Sequence, residues 1–234
     1  MDIAVLIPAH NEAGRIADTV SAALSIEGVT RVVVIDDGSE DDTDHLAEKA
    51  GAKVVRMAGN AGKGGALEAG AKRVANADVV LLLDGDLGAT ATQGALLLAP
   101  VLAGEADMTI AAFPRPATKA GFGLVLGLAR WGIRRFGGEF DATAPLSGQR
   151  ALTKECLEAI RPFAAGYGVE VGLTIRALRR GLRLVEVPTT MGHSATGRDL
   201  DGFVHRGRQL VHVAIALARI SLERAPADTG NPAR

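Results

Sequence analysis

Short apolar segments that alternate with amphipathic segments constrain the fold of this chain more than any other feature. The apolar segments are rich in β-branched residues, and each is bounded by Gly, Pro, Asp or Asn, as expected for strands buried on both faces of a sheet. Alternation at this spacing predicts βαβ units around a mostly parallel sheet. The predicted strands are 3–7, 31–35, 53–55, 79–83 and 108–111, and the predicted helices between them are 12–26, 42–50, 64–75 and 93–103.

The second half of the chain is less regular. It predicts a Gly-interrupted amphipathic helix, a return to the sheet, a helix, a strand stopped by a proline, and a long final helix. Since no repeat or linker interrupts the chain, we predict one α/β domain over 1–225 with halves 1–112 and 113–225, and a flexible tail over 226–234. The predicted elements of this half are 120–136, 146–152, 169–180, 182–187 and 203–223.

Composition excludes several classes of protein. A formal net charge of −1 and an aromatic content of 3% provide neither a polyanion-attracting field nor stacking platforms, so we expect no nucleic-acid partner. Cys156 is the only cysteine, which rules out an intramolecular disulfide and a Cys-based zinc site. We expect a reducing, cytoplasmic location, since no long apolar run or signal-peptide pattern is present.

Polar clusters follow four successive predicted strands. In an open parallel sheet the carboxyl ends of the strands meet at one edge, and ligands bind there. Asp, Asn and Gly also form ordinary turns and helix caps, but four such clusters at four strand ends favour a binding site. The clusters are 8–12 (PAHNE), 36–39 (DDGS), 60–66 (NAGKGGA) and 84–86 (DGD).

The Asp84-Gly85-Asp86 segment predicts a site for a divalent cation and a diphosphate. Mg²⁺ and Mn²⁺ prefer carboxylate oxygens and share them with substrate phosphates. By itself this segment also fits a turn before a helix, but the acidic pair 36–37 and the basic Lys63 favour the metal site. The Gly-rich segment around Lys63 opens a helix, which suits anion contact. It lacks the Walker spacing, and no G-x-G-x-x-G follows the first strand, which argues against a P-loop ATPase and a Rossmann dehydrogenase.

In this order and spacing, the four motifs resemble the N-terminal half of family 2 glycosyltransferases, which have the GT-A fold. The resemblance implies a nucleoside-diphosphate sugar as donor, Mg²⁺ or Mn²⁺ as cofactor, a nucleotide-sugar-binding half over 1–112 and an acceptor half over 113–225. The implied donor-site residues are Pro8, Ala9, Asn11 and Glu12 at the base, Asp36 at the base or ribose, Lys63 at the nucleotide, and Asp84, Gly85 and Asp86 at the ribose, diphosphate and metal.

The second half is similar, more loosely, to glucosyl-3-phosphoglycerate synthases, which are GT-A relatives. The GYGVE segment 166–170 and the later His193 carry this similarity. It implies that His193 joins Asp86 as a metal ligand and that Glu170 lies beside the sugar, as a candidate catalytic residue together with Asp86. A polar loop histidine and a solvated helix glutamate remain the alternatives. The implied acceptor-binding residues are Gly148, Gln149, Arg150 and Tyr167.

The identity of the acceptor stays open in the sequence. An inverting transfer to an alcohol requires a general base, and the Thr/Glu/Asp signature that supplies it in many family 2 members is absent here. Either Glu170 replaces that base, or the acceptor is a phosphate that is already ionised. A phosphoglycerate-like small molecule, a polyprenyl phosphate and a retaining mechanism are all compatible with the sequence.

Two other function classes, and contact with a membrane or with a second copy of the chain, are alternatives that the sequence leaves open. A nucleotidyltransferase also combines a GT-A-like sheet with a metal, but it usually carries a Gly-rich basic loop after the first strand, where this chain has His10-Asn11-Glu12. A non-catalytic sugar-nucleotide-binding domain is the other alternative. The basic amphipathic segments 121–136 and 203–224 fit either peripheral membrane contact or packing within the core or a homodimer.

Overall fold

A seven-stranded sheet forms the centre of the protein. The computed structural model describes residues 1–113, 123–164, 168–192 and 200–223, and only the backbone of residues 200–208. The strand order is β3-β2-β1-β4-β6-β5-β7, and β6 alone runs antiparallel to its two neighbours. The strands are β1 (Ile3–Ala9), β2 (Val29–Asp36), β3 (Lys53–Arg56), β4 (Val79–Leu82), β5 (Met108–Ala112), β6 (Arg150–Thr153) and β7 (Leu184–Pro188).

Eight α-helices cover the sheet in the part of the chain that the structure describes. The mostly parallel α/β prediction is thereby confirmed, with small differences in the bounds of the elements. The helices are α1 (Ile16–Leu24), α2 (Thr43–Lys49), α3 (Gly62–Ala71), α4 (Gly94–Leu102), α5 (Gly123–Gly137), α6 (Lys154–Ile160), α7 (Val169–Arg179) and α8 (Leu200–Leu222). Residues 120–122 of one predicted helix and the predicted tail 226–234 lie outside the described residues.

Three local elements differ from the sequence prediction. The first helix begins at Ile16, not at residue 12, because Asn11 has a φ of 57° and the chain turns before α1. The short helix α6 was not predicted, although Thr153 caps it by accepting a hydrogen bond from the Cys156 amide at 3.1 Å. A 3-10 helix over Gly88–Gln93 was also not predicted.

Alternating side chains of the central strands fill a core on each side of the sheet. Along β1, Ile3, Val5 and Ile7 pack on the side of α1 and α4, whereas Ala4 and Leu6 pack on the side of α3, α6 and α7. A third cluster lies among α5, α7 and α8, where its members are Val125, Ala129, Ile133, Val171, Ile175, Val213, Leu217 and Ile220. The sheet is therefore covered on both faces, as its continuous apolar strands require.

The antiparallel β6 brings the second half of the chain to the ligand edge of the sheet. Leu82, the last residue of β4, pairs with Arg150, the first residue of β6. Since the two strands run in opposite directions, the residues that follow β4 face the residues that precede β6. This register places Gly148 beside Asp84, and it joins the two predicted halves in one sheet.

Candidate active site

An ion cluster at the carboxyl end of β4 forms the centre of the candidate site. Lys63, in the first turn of α3, lies with its Nζ 2.6 Å from Oδ1 of Asp84 and 3.0 Å from Oε1 of Glu170. Glu170 comes from the first turn of α7, and its side chain is 7% exposed. One ammonium group therefore bridges two carboxylates that lie more than eighty residues apart in sequence.

The charge of Lys63 is stabilised by this arrangement. Burial alone would lower the pKa of Lys63, but the charges of Asp84 and Glu170 and their hydrogen bonds outweigh it and hold the pKa above its usual value. Lys63 consequently stays protonated at neutral pH. The cluster as a whole is not cationic, since two carboxylates face one ammonium group, so a diphosphate would bind here together with a divalent cation.

Asp84 is held from two sides. Its Oδ2 accepts a hydrogen bond from Nε2 of Gln149 at 2.6 Å, while Lys63 occupies Oδ1. Gly148 lies directly against this pair, because a Cβ at that position would overlap Lys63 Nζ and lie 3.0 Å from Asp84 Oδ1. A side chain at this position would therefore have to displace the lysine, whereas glycine lets the loop before β6 lie against the ion pair.

Carboxylates crowd the neighbouring position, and this crowding fits a divalent cation. Burial, followed by the charges of Asp86, Asp84 and Asp41, raises the pKa of Glu12 to about 7. A metal ion would relieve this repulsion, and oxygen ligands are those that Mg²⁺ and Mn²⁺ prefer. Within the described ranges, no three His, Cys, Asp or Glu side chains are grouped to hold a metal by themselves. Such a metal would thus need ligands beyond Asp86, such as a diphosphate, and His193 lies outside the described residues.

The loops after β1, β2 and β3 are tied to one another at the same edge. The Asn11 amide donates to Ser39 Oγ at 3.0 Å, and Asn11 Oδ1 accepts from the Glu40 amide at 2.8 Å. Asp37 Oδ1 accepts from the Ala61 amide at 2.7 Å, which fixes the start of the Lys63 loop. The predicted donor-site segments are therefore neighbours in space, as their positions at the strand ends indicate.

Asp36 carries a buried oxygen that accepts no hydrogen bond from the part of the chain that the structure describes. The Ser39 amide donates to its Oδ1 at 2.9 Å, whereas Oδ2 lies 3.5 Å from Arg56 Nε without a hydrogen bond. Such an acceptor is costly to leave unpaired. Pro8 is half-buried and Ala9 is 4% exposed at the end of the adjacent β1. The three residues adjoin one another at this edge.

Two predicted acceptor contacts are inconsistent with the structure. Gln149 and Arg150 are both fully buried, because β6 runs through the middle of the sheet and carries them into the core. Their side chains support the site from within the protein, where Gln149 donates to Asp84. Gly148 is half-buried at the site, and the fourth predicted acceptor residue, Tyr167, lies outside the described residues.

Gly85 has a packing role at the site. It is buried, and a Cβ there would lie 3.2 Å from Glu12 Cγ and 3.4 Å from Ala9 Cβ. Gly85 therefore permits the ends of β1 and β4 to pack together. Asp84 and Asp86, on either side of it, are half-buried at the site.

Sequence reasoning missed the residues of α1 that hold the Asp84–Asp86 segment. The buried Thr19 donates through Oγ1 to the Gly85 carbonyl at 2.9 Å and accepts from the Gly88 amide at 2.8 Å. Arg15 Nη1 donates to the Asp86 carbonyl at 3.3 Å. Neither residue belongs to a motif, and a threonine on the buried face of a helix carries no signal of this role.

Comparison with known proteins identifies the family. Residues 4–138 match the family described as Glycosyl transferase family 2. Glycosyltransferase AglJ of Haloferax volcanii is 35% identical over 84% of this chain, and the chain spans 65% of the length of that relative. A glucosyl-3-phosphoglycerate synthase of Mycobacterium tuberculosis is 31% identical over 89% of this chain and 71% of its own length.

The solved structures that are similar to this chain include the same mycobacterial synthase. The Mycobacterium tuberculosis glucosyl-3-phosphoglycerate synthase in complex with phosphoglyceric acid has a TM-score of 0.76 at 29% identity, and the match covers 96% of this chain and 81% of that one. The same enzyme with Mn²⁺, uridine diphosphate and glucosyl-3-phosphoglycerate has a TM-score of 0.74 at 28% identity, with the same coverage. The nucleotidyltransferase alternative is therefore set aside. The chain has the GT-A fold and belongs to glycosyl transferase family 2.

Proposed function

We propose that this chain transfers a glycosyl group from a nucleoside-diphosphate sugar to a phosphate-bearing acceptor, with Mg²⁺ or Mn²⁺ as cofactor. The observation that carries the proposal is the ion cluster of Lys63, Asp84 and Glu170 beside Asp86, at the carboxyl edge of a family 2 sheet. An edge of this kind is where α/β sheets bind nucleotides. The fixed cation and the carboxylates together suit a diphosphate and its metal.

The donor nucleotide is proposed to lie across the ends of β1 and β2. Pro8, Ala9, Asn11 and Glu12 would line the base, and the unpaired Oδ2 of Asp36 would accept a hydrogen bond from the base or the ribose. Support comes from the burial of that oxygen and from its lack of a hydrogen-bond donor among the described residues. A uridine or guanosine base satisfies it with a ring N–H.

The metal is proposed to bind at Asp86, with His193 as the further protein ligand and the donor diphosphate completing the shell. When bound, a divalent cation neutralises charge on the leaving diphosphate. Support comes from Glu12, whose pKa is raised to about 7 by burial and then by the nearby charges of Asp86 and Asp84. The complexes of the mycobacterial synthase with Mn²⁺ or Mg²⁺ and uridine diphosphate point the same way.

During transfer, the bond from the anomeric carbon to the diphosphate oxygen breaks, and a bond to the acceptor oxygen forms. Lys63 places its cation where the leaving diphosphate gains charge, which stabilises the transition state. Glu170, held by Lys63, is proposed to accept a hydrogen bond from a hydroxyl of the sugar or acceptor. If the acceptor oxygen is a hydroxyl, its proton leaves to a base, and Glu170 is the candidate among the described residues.

The acceptor is proposed to be a small phosphorylated hydroxy acid that binds beside Gly148, with Tyr167 as a further contact. Several relatives that match this chain are glucosyl-3-phosphoglycerate synthases, and the phosphoglyceric acid complex has the same fold. A polyprenyl phosphate shares the ionised phosphate and is the second acceptor to be tested.

The proposal is tested by incubating the protein with UDP-glucose or GDP-glucose, Mn²⁺ and either 3-phosphoglycerate or a short polyprenyl phosphate, and by measuring the glycosylated product. Product from one acceptor, lost in Asp86→Asn but kept in the exposed control Asp18→Asn, supports the proposal and names the acceptor. Nucleotide binding without any product or donor hydrolysis would instead favour the non-catalytic alternative.

A second copy of this chain is the proposed partner of the exposed faces of α5 and α8. Large exposed apolar side chains of α8 include Val211, Ile215 and Leu222, which with the exposed Ala218 follow the 4-3-4 spacing of a helix-pairing seam. Of the α5 arginines, Arg130 donates to carbonyl groups, Arg134 pairs with Asp141 and Arg135 lies over the Phe136 ring, and these contacts compete with binding to anionic lipid.

Light scattering on the purified protein and sedimentation with anionic vesicles distinguish the two partners. A dimer that becomes a monomer in Ile215→Glu supports the second copy, and vesicle binding by a monomer would contradict it.

Within the described ranges, no helix combines the length and apolar character that crossing a bilayer requires. A cytoplasmic location is proposed on the grounds of the single, buried cysteine.

A further inference from the structure

A fully buried arginine lies directly behind the candidate site. Arg150 is 0% exposed, although it begins the strand that faces Asp84. Charged side chains are almost never buried to this extent unless they are paired. The residues that hold this guanidinium therefore indicate what it does.

Neutral groups from three parts of the chain hold the guanidinium. Arg150 Nε donates to the Ser147 carbonyl at 3.0 Å, which lies in the loop that carries Gly148. Nη2 donates to the Glu170 carbonyl at 3.0 Å, and Nη1 donates to Thr174 Oγ1 at 3.0 Å and to Met108 Sδ at 3.3 Å. Thr174 in turn donates to the Glu170 carbonyl at 3.0 Å.

These bonds end at the two segments that shape the ion cluster. One segment is the loop whose Gly148 touches Lys63 and Asp84. The other is the first turn of α7, whose Glu170 carboxylate lies 3.0 Å from Lys63. The planar guanidinium, with donors in a fixed fork, sets the distance and angle between the two segments.

The guanidinium remains charged in this environment. Burial lowers the pKa of Arg150 to about 10, and the charge of Glu170 opposes that decrease. Taking a cation out of water costs several kcal/mol, and a hydrophobic side chain of similar volume would fill the space without that cost. Packing alone therefore does not account for an arginine here.

We propose that Arg150 is a positioning residue for glycosyl transfer, which fixes Glu170 and Gly148 relative to Lys63 without touching donor or acceptor. This inference rests on the proposed function. On the acceptor side of the site, the buried guanidinium of Arg150 on β6 then sets the alignment of Glu170 and Gly148. Since a misplacement of about 1 Å in an active site lowers the rate about 100-fold, small changes at Arg150 have large kinetic effects.

The test compares Arg150→Lys and Thr174→Val with the wild-type protein. Arg150→Lys keeps the charge and loses the fork, and Thr174→Val removes one hydroxyl with little change in volume. Both are expected to lower kcat or raise the acceptor KM, by about 10- to 100-fold in kcat/KM for the acceptor. The affinity for UDP with Mn²⁺ is expected to stay within about twofold, because Arg150 does not contact the donor side.

Arg176→Met is the matched control. Arg176 lies on the same helix and is also buried, but it binds Glu223 and the Ile160 and Pro162 carbonyls, away from the ion cluster. This variant is expected to lower the melting temperature while kcat and the acceptor KM remain near the wild-type values. A loss of kcat/KM in Arg176→Met as large as that in Arg150→Lys and Thr174→Val, at a similar decrease in melting temperature, would overturn the inference.

A crystal structure of Thr174→Val or Arg150→Lys provides a readout that does not depend on activity. We expect the distance from Glu170 Oε1 to Lys63 Nζ to lengthen while the Lys63–Asp84 pair is kept. Unchanged positions of Glu170 and Gly148 in both variants would refute the positioning role. A wild-type protein without transfer activity would refute the proposed function instead, and the two failures are thus distinguishable.

Discussion

Lys63 Nζ lies 2.6 Å from Asp84 Oδ1, so the cation of the Gly-rich loop and the first carboxylate of the Asp84-Gly85-Asp86 segment form one ion pair. Both side chains remain about one quarter exposed. The pair is therefore accessible to a bound ligand and is also supported by Gln149 from within the sheet. The candidate site depends on this pair more than on any other contact between its elements.

Gly148→Ala should reduce activity with little loss of stability. Its Cβ would overlap Lys63 Nζ, and the flexible lysine can move aside at small cost to the fold. The displaced lysine no longer pairs with Asp84, and we expect kcat/KM to fall about 100-fold, as for loss of one electrostatic partner. Steady-state kinetics and a melting curve measure the two effects.

Lys63→Met provides the control for this prediction. Because both substitutions disrupt one ion pair, the double variant should lose little more activity than the more severe single variant. Losses that multiply in the double variant would show that Gly148 acts independently of Lys63.

Gly70→Ala should destabilise the fold by about 1–3 kcal/mol through overpacking. Gly70 lies where α3 meets the sheet, and a Cβ there would overlap Leu6 Cδ1 and lie 2.9 Å from Ile35 Cγ1. The exposed helical Gly127, which has nothing within 4 Å of such a Cβ, is the matched position. Gly127→Ala should be neutral or stabilise by up to about 1 kcal/mol. Equal free energies of unfolding for the two variants, measured in urea, would contradict this packing.

The ion pair between α3 and the segment after α6 should make stability depend on acidic pH. Arg161 Nη2 lies 2.6 Å from Glu68 Oε1, and the Phe163 amide donates to Oε2 at 3.1 Å. Burial alone would raise the pKa of Glu68, but these hydrogen bonds and the charge of Arg161 hold it below its ordinary value of 4.5. A lowered pKa in the folded state means that the stabilisation is present above that ordinary value and is lost as pH falls through the folded pKa.

Glu68→Gln tests this dependence. The difference in unfolding free energy between wild type and variant should be constant from about pH 7 to about pH 5 and should shrink below that range. Urea denaturation at several pH values measures it. A difference that grows as the pH falls would contradict the assignment of the ion pair.

Cys156 should be unreactive in the folded protein. It is fully buried, and burial raises the pKa of its thiol to about 12, with a further contribution from the charge of Asp107. A thiol reagent at pH 8 should therefore label the protein only in denaturant, and Cys156→Ala should abolish that labelling. Rapid labelling of the native protein would show that α6 opens readily from the sheet.

The parallel part of the site was accessible to sequence reasoning because it follows from local patterns. Asp36 and Asp84 lie at the ends of short apolar strands and Lys63 lies in the segment that follows the third strand, and parallel strands bring such positions to one edge. The motifs also resemble a family, and that identification is confirmed by the match over residues 4–138.

The contribution of the antiparallel strand β6 to the site could not be predicted from local sequence patterns. The pairing of Leu82 with Arg150 joins positions far apart in sequence, and no local periodicity encodes the direction of a pairing at that distance. For the same reason the burial of Gln149 and Arg150, which the resemblance assigned to acceptor binding, could not be predicted from the sequence. The support that Thr19 gives to Gly85 likewise requires knowing which face of α1 meets β4.

Metal-dependent nucleotide binding tests the central claim most directly. UDP, GDP and ADP are titrated by calorimetry into the wild-type protein and Asp86→Asn, with and without Mn²⁺, and Asp18→Asn serves as the exposed-carboxylate control. We predict that one nucleotide binds with Mn²⁺ and that its affinity falls about 10- to 100-fold without the metal or in Asp86→Asn. No binding of any nucleotide to the folded protein, or equal affinity in Asp86→Asn with and without Mn²⁺, would contradict the account.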